Sequence, residues 1–398
     1  MAGPSLSGLI NPQILEWARK SARLSVEDAA QRASISTERL SAFEHGTQAP
    51  TLAQLRKIAN IYKRGVPVFF LDAIPKGTRQ PVDYRRIELR VSETMSPALA
   101  IAIREASSKR EAALSLFADL EDEPPEFALR APASASGEQL GEYLASALGL
   151  PPSARQSWST HYDALNGWRS AVERAGVLVM QVSRIGLEEM RGCSLAFDPL
   201  PVILLNGSDA PLGRVFTLLH ELAHLSRSES GLCDLLERDD SQPDSQDTSS
   251  AIETLCNRAA GAALLPRDVL LQMEPVQRAG QSSQWEERQL DSLKSKFWAS
   301  REAVLRRLLI LGKTSQRHYT EWRARFRREY AEMREAGSGG FVPPPRNVVL
   351  KNGRFLTGLA VDAYEASAIT GSELSRLLGT KLNHLPAITA ILREQTSE

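Results

Sequence analysis

The chain of 398 residues has few aromatic residues, three cysteines and no net charge. Aromatic residues make up 6% of it, so hydrophobic cores must be built mainly from Leu, Ala, Val and Ile. Lys plus Arg and Asp plus Glu each number 48, and the formal net charge is +0. A neutral chain has no general attraction to nucleic acid, so any DNA binding must come from a local excess of basic residues.

Long apolar runs are also missing. No stretch approaches the roughly 18 apolar residues that a membrane span requires. The segment Met1–Ile10 lacks the charged and apolar regions of an export signal. The cysteines, Cys193, Cys233 and Cys256, cannot all pair with each other, and their spacing is not a CxxC framework. We therefore expect a reducing, cytoplasmic setting without membrane attachment.

The chain is too long for one hydrophobic core. Its pattern predicts a multidomain α+β fold with an all-α N-terminal part, a central α/β part and a helical C-terminal region. The predicted divisions are 1–72 for a run of short helices, 73–137 for a helical connector and linker, 138–270 for the α/β domain, 271–336 for a basic helical domain and 341–398 for a small C-terminal helical unit.

The central region alternates strands and helices. Val177–Val182 and Val202–Asn206 are predicted strands, and a helix is predicted to begin near Pro211 and run to about Ser226. We expect the strand Val202–Asn206 to lie at a sheet edge, where an extended peptide could pair with it. The acidic segment Ser228–Ser250 is predicted to be a loop, and Ala251–Leu265 a helix.

Residues 220–224 read H-E-x-x-H within the apolar helix Val215–Leu225. Residues four apart lie on one helix face, so His220 and His224 can reach one metal ion. Glu221 lies beside them, where it can accept a proton from an attacking water. The alternatives are two buried histidines without a metal, which would leave Glu221 an unpaired buried acid, and a metal site without activity.

The next predicted helix carries Glu253 and Asn257 in an E-x-x-x-N pattern. Zinc sites of the thermolysin type take two histidines from one helix and a carboxylate from a second. Glu253 is therefore the predicted third ligand of one zinc ion per chain. Asn257, four residues on, is predicted to orient a ligand from behind.

These segments resemble the ImmA/IrrE family of zinc peptidases over roughly residues 138–266. Members are similar in folding as small gluzincins, and in several the substrate is a helix-turn-helix repressor, cut to release silenced genes. The resemblance therefore implies a gluzincin-like metallopeptidase domain and a repressor as protein substrate. The segments that carry the resemblance are Arg191–Leu195, Pro201–Asn206, Phe216–His224, Ile252–Asn257 and Leu264–Pro266.

Further residues near these motifs have two interpretations each. His161, Arg191 and Asn206 are candidate oxyanion donors, although structural roles are the simpler interpretation. Cys233 lies between the two metal helices in sequence, and its thiolate could block the zinc until oxidised. The simpler interpretation is an ordinary loop cysteine.

The N-terminal segment predicts three helices, Ser25–Ala33, Ser36–Glu44 and Leu52–Tyr62, with a tight turn between the first two. It resembles the XRE/Cro-type helix-turn-helix, with Glu44-His45-Gly46 and Ala49-Pro50-Thr51 at characteristic positions. The resemblance implies that the second helix enters the major groove of double-stranded operator DNA by its N-terminal residues.

The residues implied to contact DNA are Ser36, Thr37 and Arg39, with Arg32 on a phosphate. From Arg19 to Arg64, nine basic residues face four acidic ones, an excess of the right sign. Domains of this type commonly bind paired half-sites, which implies a homodimer. The alternative is a helix-turn-helix that contacts only protein.

The C-terminal region has a less specific pattern. From Arg301 to Arg328, nine basic residues face two acidic ones, and such a run can bind DNA or a partner but is more often a solvated face. Ile369–Leu378, followed by Gly379, resembles a second short helix-turn-helix for dimerisation or recognition.

Together the motifs predict a DNA-binding regulator with zinc endopeptidase activity that cleaves a repressor or similar protein. Two other functions stay open. One is a transcription factor whose peptidase-like domain senses a signal or mediates dimerisation without cleavage. The other is an antitoxin-like or phage-defence regulator.

Overall fold

A computed structural model describes residues 6, 8–75, 95–227, 231–233, 248–281, 283–335 and 342–394. The chain divides into two compact units, Met1–Glu105 and Ala106–Glu398. The boundary falls within a helix, Pro97–Asp119. The finer division into five regions stays a prediction. Helices predominate and strands are few, which confirms the predicted multidomain α+β class.

The first unit is entirely helical in its described residues. The predicted N-terminal helices are confirmed to within a residue, because Ser25 and Ser36 are N-caps rather than helical residues. Their hydroxyls accept hydrogen bonds from the amides of Asp28, at 3.0 Å, and Arg39, at 3.3 Å. The helices are α1 (Pro12–Ser21), α2 (Val26–Ala33), α3 (Thr37–Glu44) and α4 (Leu52–Tyr62), followed by a 3₁₀ turn (Val66–Phe70) and the start of α5 (Pro97–Asp119).

Apolar residues at helical spacing fill the core of this unit, among them Leu15, Leu40 and Ile58. A buried ion pair crosses the core. Arg19 Nη2 donates to Glu44 Oε2 at 2.8 Å and so joins α1 to α3. A buried guanidinium requires such a partner, since an unpaired charge in the interior is costly.

In the second unit, helices surround a small β-sheet. Its strands are β1 (Leu178–Val182), β2 (Gly192–Leu195), β3 (Val202–Asn206) and β4 (Gly231–Cys233). Its helices after α5 are α6 (Gly137–Ala147), α7 (His161–Arg174), α8 (Pro211–Ser226), α9 (Thr248–Leu264), α10 (Arg267–Leu271), α11 (Glu274–Gln277), α12 (Glu287–Phe297), α13 (Arg301–Ile310), α14 (Gln316–Glu335), α15 (Pro344–Asn352), α16 (Arg354–Glu365), α17 (Gly371–Leu378) and α18 (Leu385–Arg393).

The strand order is β1-β3-β2-β4. β1 runs parallel to β3, and β2 is antiparallel to both β3 and β4. The prediction that β3 lies at a sheet edge is therefore wrong, because β3 pairs on both sides. Within the predicted loop 228–250, the structure describes β4 and the start of α9, and the remainder lies outside the described residues.

The helices after residue 271 share the core of the central α/β region. Leu290, Phe297, Val304 and Leu308 are buried in the same cluster as Leu222 of α8. The basic residues of this region also have acidic partners: Arg301 pairs with Glu287, Asp291 and Glu329. We infer that these helices complete the hydrophobic core around the sheet.

The C-terminal helices are held to α7 and β1 by a buried polar contact. Glu173 Oε1 accepts a hydrogen bond from the backbone amide of Arg354, the first residue of α16, at 3.0 Å. Gly353, with φ +82°, precedes it. A Cβ atom there would lie 2.4 Å from Glu173 Oε1 and 2.6 Å from the Val179 oxygen, so only glycine fits.

Among the described residues, no helix combines the length and the apolar character needed to cross a membrane.

Candidate functional site

Helix α8 carries both histidines of the H-E-x-x-H motif and is buried along almost its whole length. Its apolar residues pack against the sheet and against α7 and α9, which fixes the helix in position. His220 and His224, one turn apart, therefore project from one face, and the two residues are 0% and 2% exposed.

Glu253 of α9 lies opposite the two histidines. Its carboxylate oxygens are 3.3 Å from His220 Nε2 and 3.4 Å from His224 Nε2. The two Nε2 atoms are 3.1 Å apart. The three predicted ligands thus bring their donor groups together in a triangle, although they come from two helices, with one carboxylate oxygen of Glu253 facing each histidine.

This triangle has the dimensions of a zinc site. Zinc–ligand bonds of roughly 2.0–2.1 Å at tetrahedral angles put donor atoms about 3.3 Å apart. Two imidazoles and one carboxylate are also the donor set of hydrolytic zinc sites. His220, His224 and Glu253 are a group that could hold a metal ion. The side chain of Glu253 is 38% exposed, so solvent reaches the site on that side.

The two histidines and Glu253 interact electrostatically with one another. Burial alone would raise the pKa of Glu253, but its hydrogen bonds with His220 and His224 lower it well below its usual range. Burial alone would lower the pKa of His224, but hydrogen bonds with Cys256 and Glu253 raise it well above the usual range. The two histidines and the carboxylate therefore interact strongly with one another, and a metal ion would have to displace the protons of the histidines.

Glu221 is fully buried beside the triangle. Burial raises the pKa of its carboxyl group, while the nearby histidines and the Ser194 side chain partly offset that rise. Strand β2 passes directly over it. A Cβ atom at Gly192 would lie 2.3 Å from Thr217 Cγ2 and 3.0 Å from Glu221 Oε1, so glycine is required for this close approach.

Two further polar residues, Cys256 and Asn257, follow Glu253 on α9. Cys256, which the sequence analysis did not connect with the site, is buried and hydrogen-bonds with His224. The predicted orienting residue, Asn257, has a buried Oδ1 atom that accepts no hydrogen bond from the described part of the chain. Cys256 is therefore the residue that contacts a histidine of the triangle. The orienting role of Asn257 stays a prediction.

Small residues bring α9 close to α6. A Cβ atom at Gly141 would lie 2.3 Å from the Ala259 carbonyl oxygen and 2.6 Å from Ala262 Cβ. A Cβ atom at Gly137 would lie 2.7 Å from Arg258 Cβ. The glycines of α6 and the alanines of α9 thus let the two backbones approach closely, and this packing sets the position of Glu253.

Two buried arginines hold the C-terminal end of α9, where the last carbonyl groups have no partner within the helix. Arg155 donates to the carbonyls of Ala263 and Leu264, each at 2.8 Å. Arg307 donates to Leu265 at 2.9 Å and pairs with Glu138 of α6. Burial lowers the pKa of Arg155 to about 10.

The remaining candidates of the sequence analysis have structural contacts. Asn206 is buried and donates to the carbonyls of Ile185 and Met190, at 3.0 and 2.8 Å. Arg191 lies 3.8 Å from Asp209, and the His161 ring packs edge-on against Trp298. The side chain of Cys233 lies outside the described residues.

The predicted DNA-contacting residues lie at the start of α3 and the end of α2. Arg32, Ser36 and Arg39 are exposed, and Thr37 is half-buried. The Ser36 hydroxyl caps α3 and so fixes the helix end. The turn between the helices passes through Ser34, which has left-handed backbone angles of φ 55° and ψ 47°. Three of the four predicted residues are therefore open to solvent around the turn between α2 and α3.

Comparison with known families supports both regions. Residues 15–69 match the family model described as Helix-turn-helix. Residues 172–309 match the model of a peptidase family described as the IrrE N-terminal-like domain. Searches of curated proteins and of solved structures gave no significant match. The two predicted resemblances are confirmed, and they support a DNA-binding regulator with a metallopeptidase-like domain.

Proposed function

We propose that this chain is a DNA-binding regulator and zinc endopeptidase that cleaves another regulatory protein, in the first instance a helix-turn-helix repressor. The triangle formed by His220, His224 and Glu253, with Glu221 buried beside it, carries this proposal. Donor atoms 3.1–3.4 Å apart match the geometry that one zinc ion per chain requires.

His220, His224 and Glu253 would hold the ion, and Cys256 and Asn257 would support the ligands from behind. When bound, zinc supplies Lewis-acid polarisation of a water molecule and of the peptide carbonyl group. The partial exposure of Glu253 leaves a side on which a peptide can approach.

Glu221 moves the proton in this proposal. Its burial favours the protonated form, so its carboxylate is a better base than an exposed glutamate. It accepts the proton of the attacking water and donates it to the leaving amine. Packing of Gly192 and Thr217 against its side chain limits the orientations available to the carboxylate.

The helix-turn-helix would place the enzyme at its operator. Ser36, Thr37 and Arg39 would contact base edges and Arg32 a phosphate, because they lie around the start of α3, where Arg32, Ser36 and Arg39 are exposed. Two copies would bind paired half-sites as a homodimer.

Glu221→Gln tests the proteolytic role, since glutamine keeps the size of the side chain but cannot act as the base. Cells carrying the wild type or this variant would be compared by mass spectrometry of new protein N-termini, with zinc content measured for both proteins. We expect a cleaved regulator with the wild type only. The same N-termini with both proteins, at equal zinc content, would favour a regulator that acts without cleavage.

A further inference from the structure

The C-terminal helices include a pair, α17 and the helix after it, that repeats the connection between α2 and α3. α2 and α17 each have eight residues, and each begins after a hydroxyl N-cap, Ser25 or Thr370. Each ends at a residue with left-handed backbone angles: φ 55° and ψ 47° at Ser34, and φ 66° and ψ 38° at Gly379. Such a cap ends a helix and redirects the chain, so both pairs turn in the same way at this point.

The residues after this cap also correspond. Two residues on, Ser36 and Lys381 have extended backbone angles, with ψ 154° and 148°, and each directly precedes the next helix. In both pairs the amide one residue after the cap donates to the carbonyl five residues earlier, at 3.1 Å for Ile35 and 3.0 Å for Thr380. The pairs differ in that the second C-terminal helix starts as a 3₁₀ turn (Leu382–His384) before it continues as α18.

Burial follows the same positions in the two pairs. Counted from the first residue of α2 or α17, the fourth, eighth and eighteenth residues are buried in both. They are Ala29, Ala33 and Phe43 in the N-terminal pair, and Leu374, Leu378 and Ile388 in the C-terminal pair. The two pairs therefore direct equivalent positions toward the core beneath them, as expected of two helix-turn-helix units.

Packing holds the start of the second C-terminal helix in place. Asn352, the last residue of α15, donates from Nδ2 to the carbonyl of Leu378 at 3.1 Å. A Cβ atom at Gly371 would lie 2.7 Å from Leu382 Cδ1, so the start of α17 lies directly against the start of the next helix. The turn is therefore enclosed by α15 on one side and by α17 on the other.

The surface around this turn is basic. A groove of about 490 Å³ lies between α15 and the turn. Lys351 of α15 lines it together with Lys381 and His384, and Asn347 and Asn383 add polar groups. None of the described residues that line the groove is acidic. Lysines clustered on one face of a helix-turn-helix are the groups that neutralise DNA phosphates.

The positions that would read DNA in the N-terminal pair hold suitable side chains here. The residues at the positions of Ser36, Thr37, Glu38 and Arg39 are Lys381, Leu382, Asn383 and His384. Lysine donates to guanine, asparagine pairs with adenine, and an apolar side chain contacts the thymine methyl group. Lys381, Leu382 and Asn383 are exposed, and His384 is half-buried.

We propose that α17 and the helix beginning at Leu382 form a second helix-turn-helix that binds double-stranded DNA. The start of its second helix would enter the major groove. Leu377 stands at the position of Arg32, so the phosphate contact comes from Lys351 instead. Two DNA-binding elements on one chain raise its affinity for a duplex that carries both sites. This element needs neither zinc nor the N-terminal pair, so it stands or falls independently of the proposed function.

The test is binding of the full chain to a labelled random-sequence duplex of roughly 30 base pairs, about three helical turns. Fluorescence anisotropy is measured at several salt concentrations. All proteins also carry Arg32→Ala and Arg39→Ala, so that the contacts proposed for the N-terminal pair are absent. We expect this chain to bind the duplex. No binding at low salt would overturn the proposal.

In that background, Lys351→Gln, Lys381→Gln should weaken binding at least roughly ten-fold. The slope of log affinity against log salt should fall by about 1–2, because two positive charges leave the DNA. Both lysines are exposed, so the variant should fold. Arg376→Gln, Arg393→Gln is the matched control, since it removes the same charge from exposed residues outside the groove. Equal losses in both double variants would reduce the effect to general charge and overturn the proposal.

Hydrogen exchange of the wild-type chain locates the contact without any variant. We expect slower exchange across residues 379–388 when the duplex is bound, and unchanged exchange there would contradict the proposal. Two further outcomes assign the surface to another partner. Tighter binding of single-stranded RNA than of the duplex would indicate an RNA site. A lower molar mass of the lysine variant in light scattering would indicate self-association, and either result would overturn the proposal.

Discussion

The proposed metal centre and the proposed DNA-reading face are built in opposite ways. At the metal centre, His220, His224 and Glu221 are buried, and close helix packing sets the distances between donor atoms. On the proposed reading face, Arg32 and Arg39 are exposed, and the helices beneath them pack on a buried core. The first site is therefore sensitive to changes in the core around it, whereas the second should be sensitive to its own side chains.

Filling the space between α6 and α9 should have the widest effect, because it acts on both stability and zinc binding. Gly141→Ala puts a Cβ atom 2.3 Å from the Ala259 oxygen, so the helices must separate and Glu253 must shift. We expect a loss of about 2–3 kcal/mol in the free energy of unfolding and at least roughly ten-fold weaker zinc binding. Urea unfolding followed by tryptophan fluorescence measures the first, since five of the six tryptophans lie in the second unit.

Gly358→Ala is the matched control for this variant. Gly358 also lies within a helix, but a Cβ atom there would meet nothing within 4 Å. Alanine should raise stability by up to about 1 kcal/mol through its helix propensity and leave zinc binding unchanged. Equal stability of the two variants would contradict the account of α6–α9 packing.

The next prediction concerns Glu173, a buried carboxyl group that is not one of the proposed metal ligands, and the pH dependence of stability. Burial raises the pKa of Glu173 from 4.5 to about 7, although Arg169 and the Arg354 amide oppose the rise. The folded protein therefore binds this proton more tightly than the unfolded chain. Its contribution is fully present below about pH 4.5 and is lost as pH rises through 7, a change of about 3 kcal/mol.

Glu173→Gln should remove this pH dependence. Glutamine can still accept the hydrogen bond from the Arg354 amide and does not ionise. Urea unfolding between pH 5 and 8 should show a smaller decrease for the variant than for the wild type. An identical decrease in both proteins would assign the pH dependence to other groups.

A smaller effect is expected on the reading face. Arg39→Ala should weaken binding to an operator, selected from random duplexes by the wild-type protein, by about 1–3 kcal/mol. Stability should change little, because Arg39 is exposed. Arg56→Ala, an exposed change of the same charge on α4, is the control in an electrophoretic mobility assay. Equal losses in both variants would show that Arg39 contributes only general charge.

The smallest effect concerns the scaffold under that face. Ser34 has φ 55°, which is unfavourable for a residue with a Cβ atom. Ser34→Gly should stabilise the first unit by about 0.5–1 kcal/mol without altering operator affinity. Slower hydrogen exchange of the α2 and α3 amides would verify this. Faster exchange would mean that the serine side chain has a stabilising contact.

Features with local periodicity could be predicted from the sequence. The spacing of His220 and His224 puts both on one helix face whatever the surroundings. The bounds of β3 and the end of α8 at Ser226 also follow from the apolar pattern and its flanking residues, and both agree with the structure.

Features that depend on distant pairing could not be predicted. β2 has only four residues, among them Gly192, Cys193 and Ser194, and lacks the β-branched pattern of a strand. The position of β3 inside the sheet depends on β2. The contact of Cys256 with His224 depends on how α9 is rotated against α8, which no single segment determines.

The burial of two arginines, Arg155 and Arg307, could not be predicted from the sequence either. The region after residue 300 is basic, and a run of basic residues more often forms a solvated face. Arg307 is nevertheless 1% exposed, and Arg155, earlier in the chain, is 2% exposed. Both are stabilised by carbonyl groups at the end of α9, which only the folded arrangement of helices brings within reach.

Zinc content measured by mass spectrometry on wild type, His220→Ala, Glu253→Ala and Glu221→Gln tests the central claim most directly. The account predicts about one zinc per chain in the wild type and in Glu221→Gln. In His220→Ala and Glu253→Ala it predicts an affinity lower by at least roughly 100-fold. A wild type without zinc after purification free of chelators, or full zinc content in both ligand variants, would contradict it.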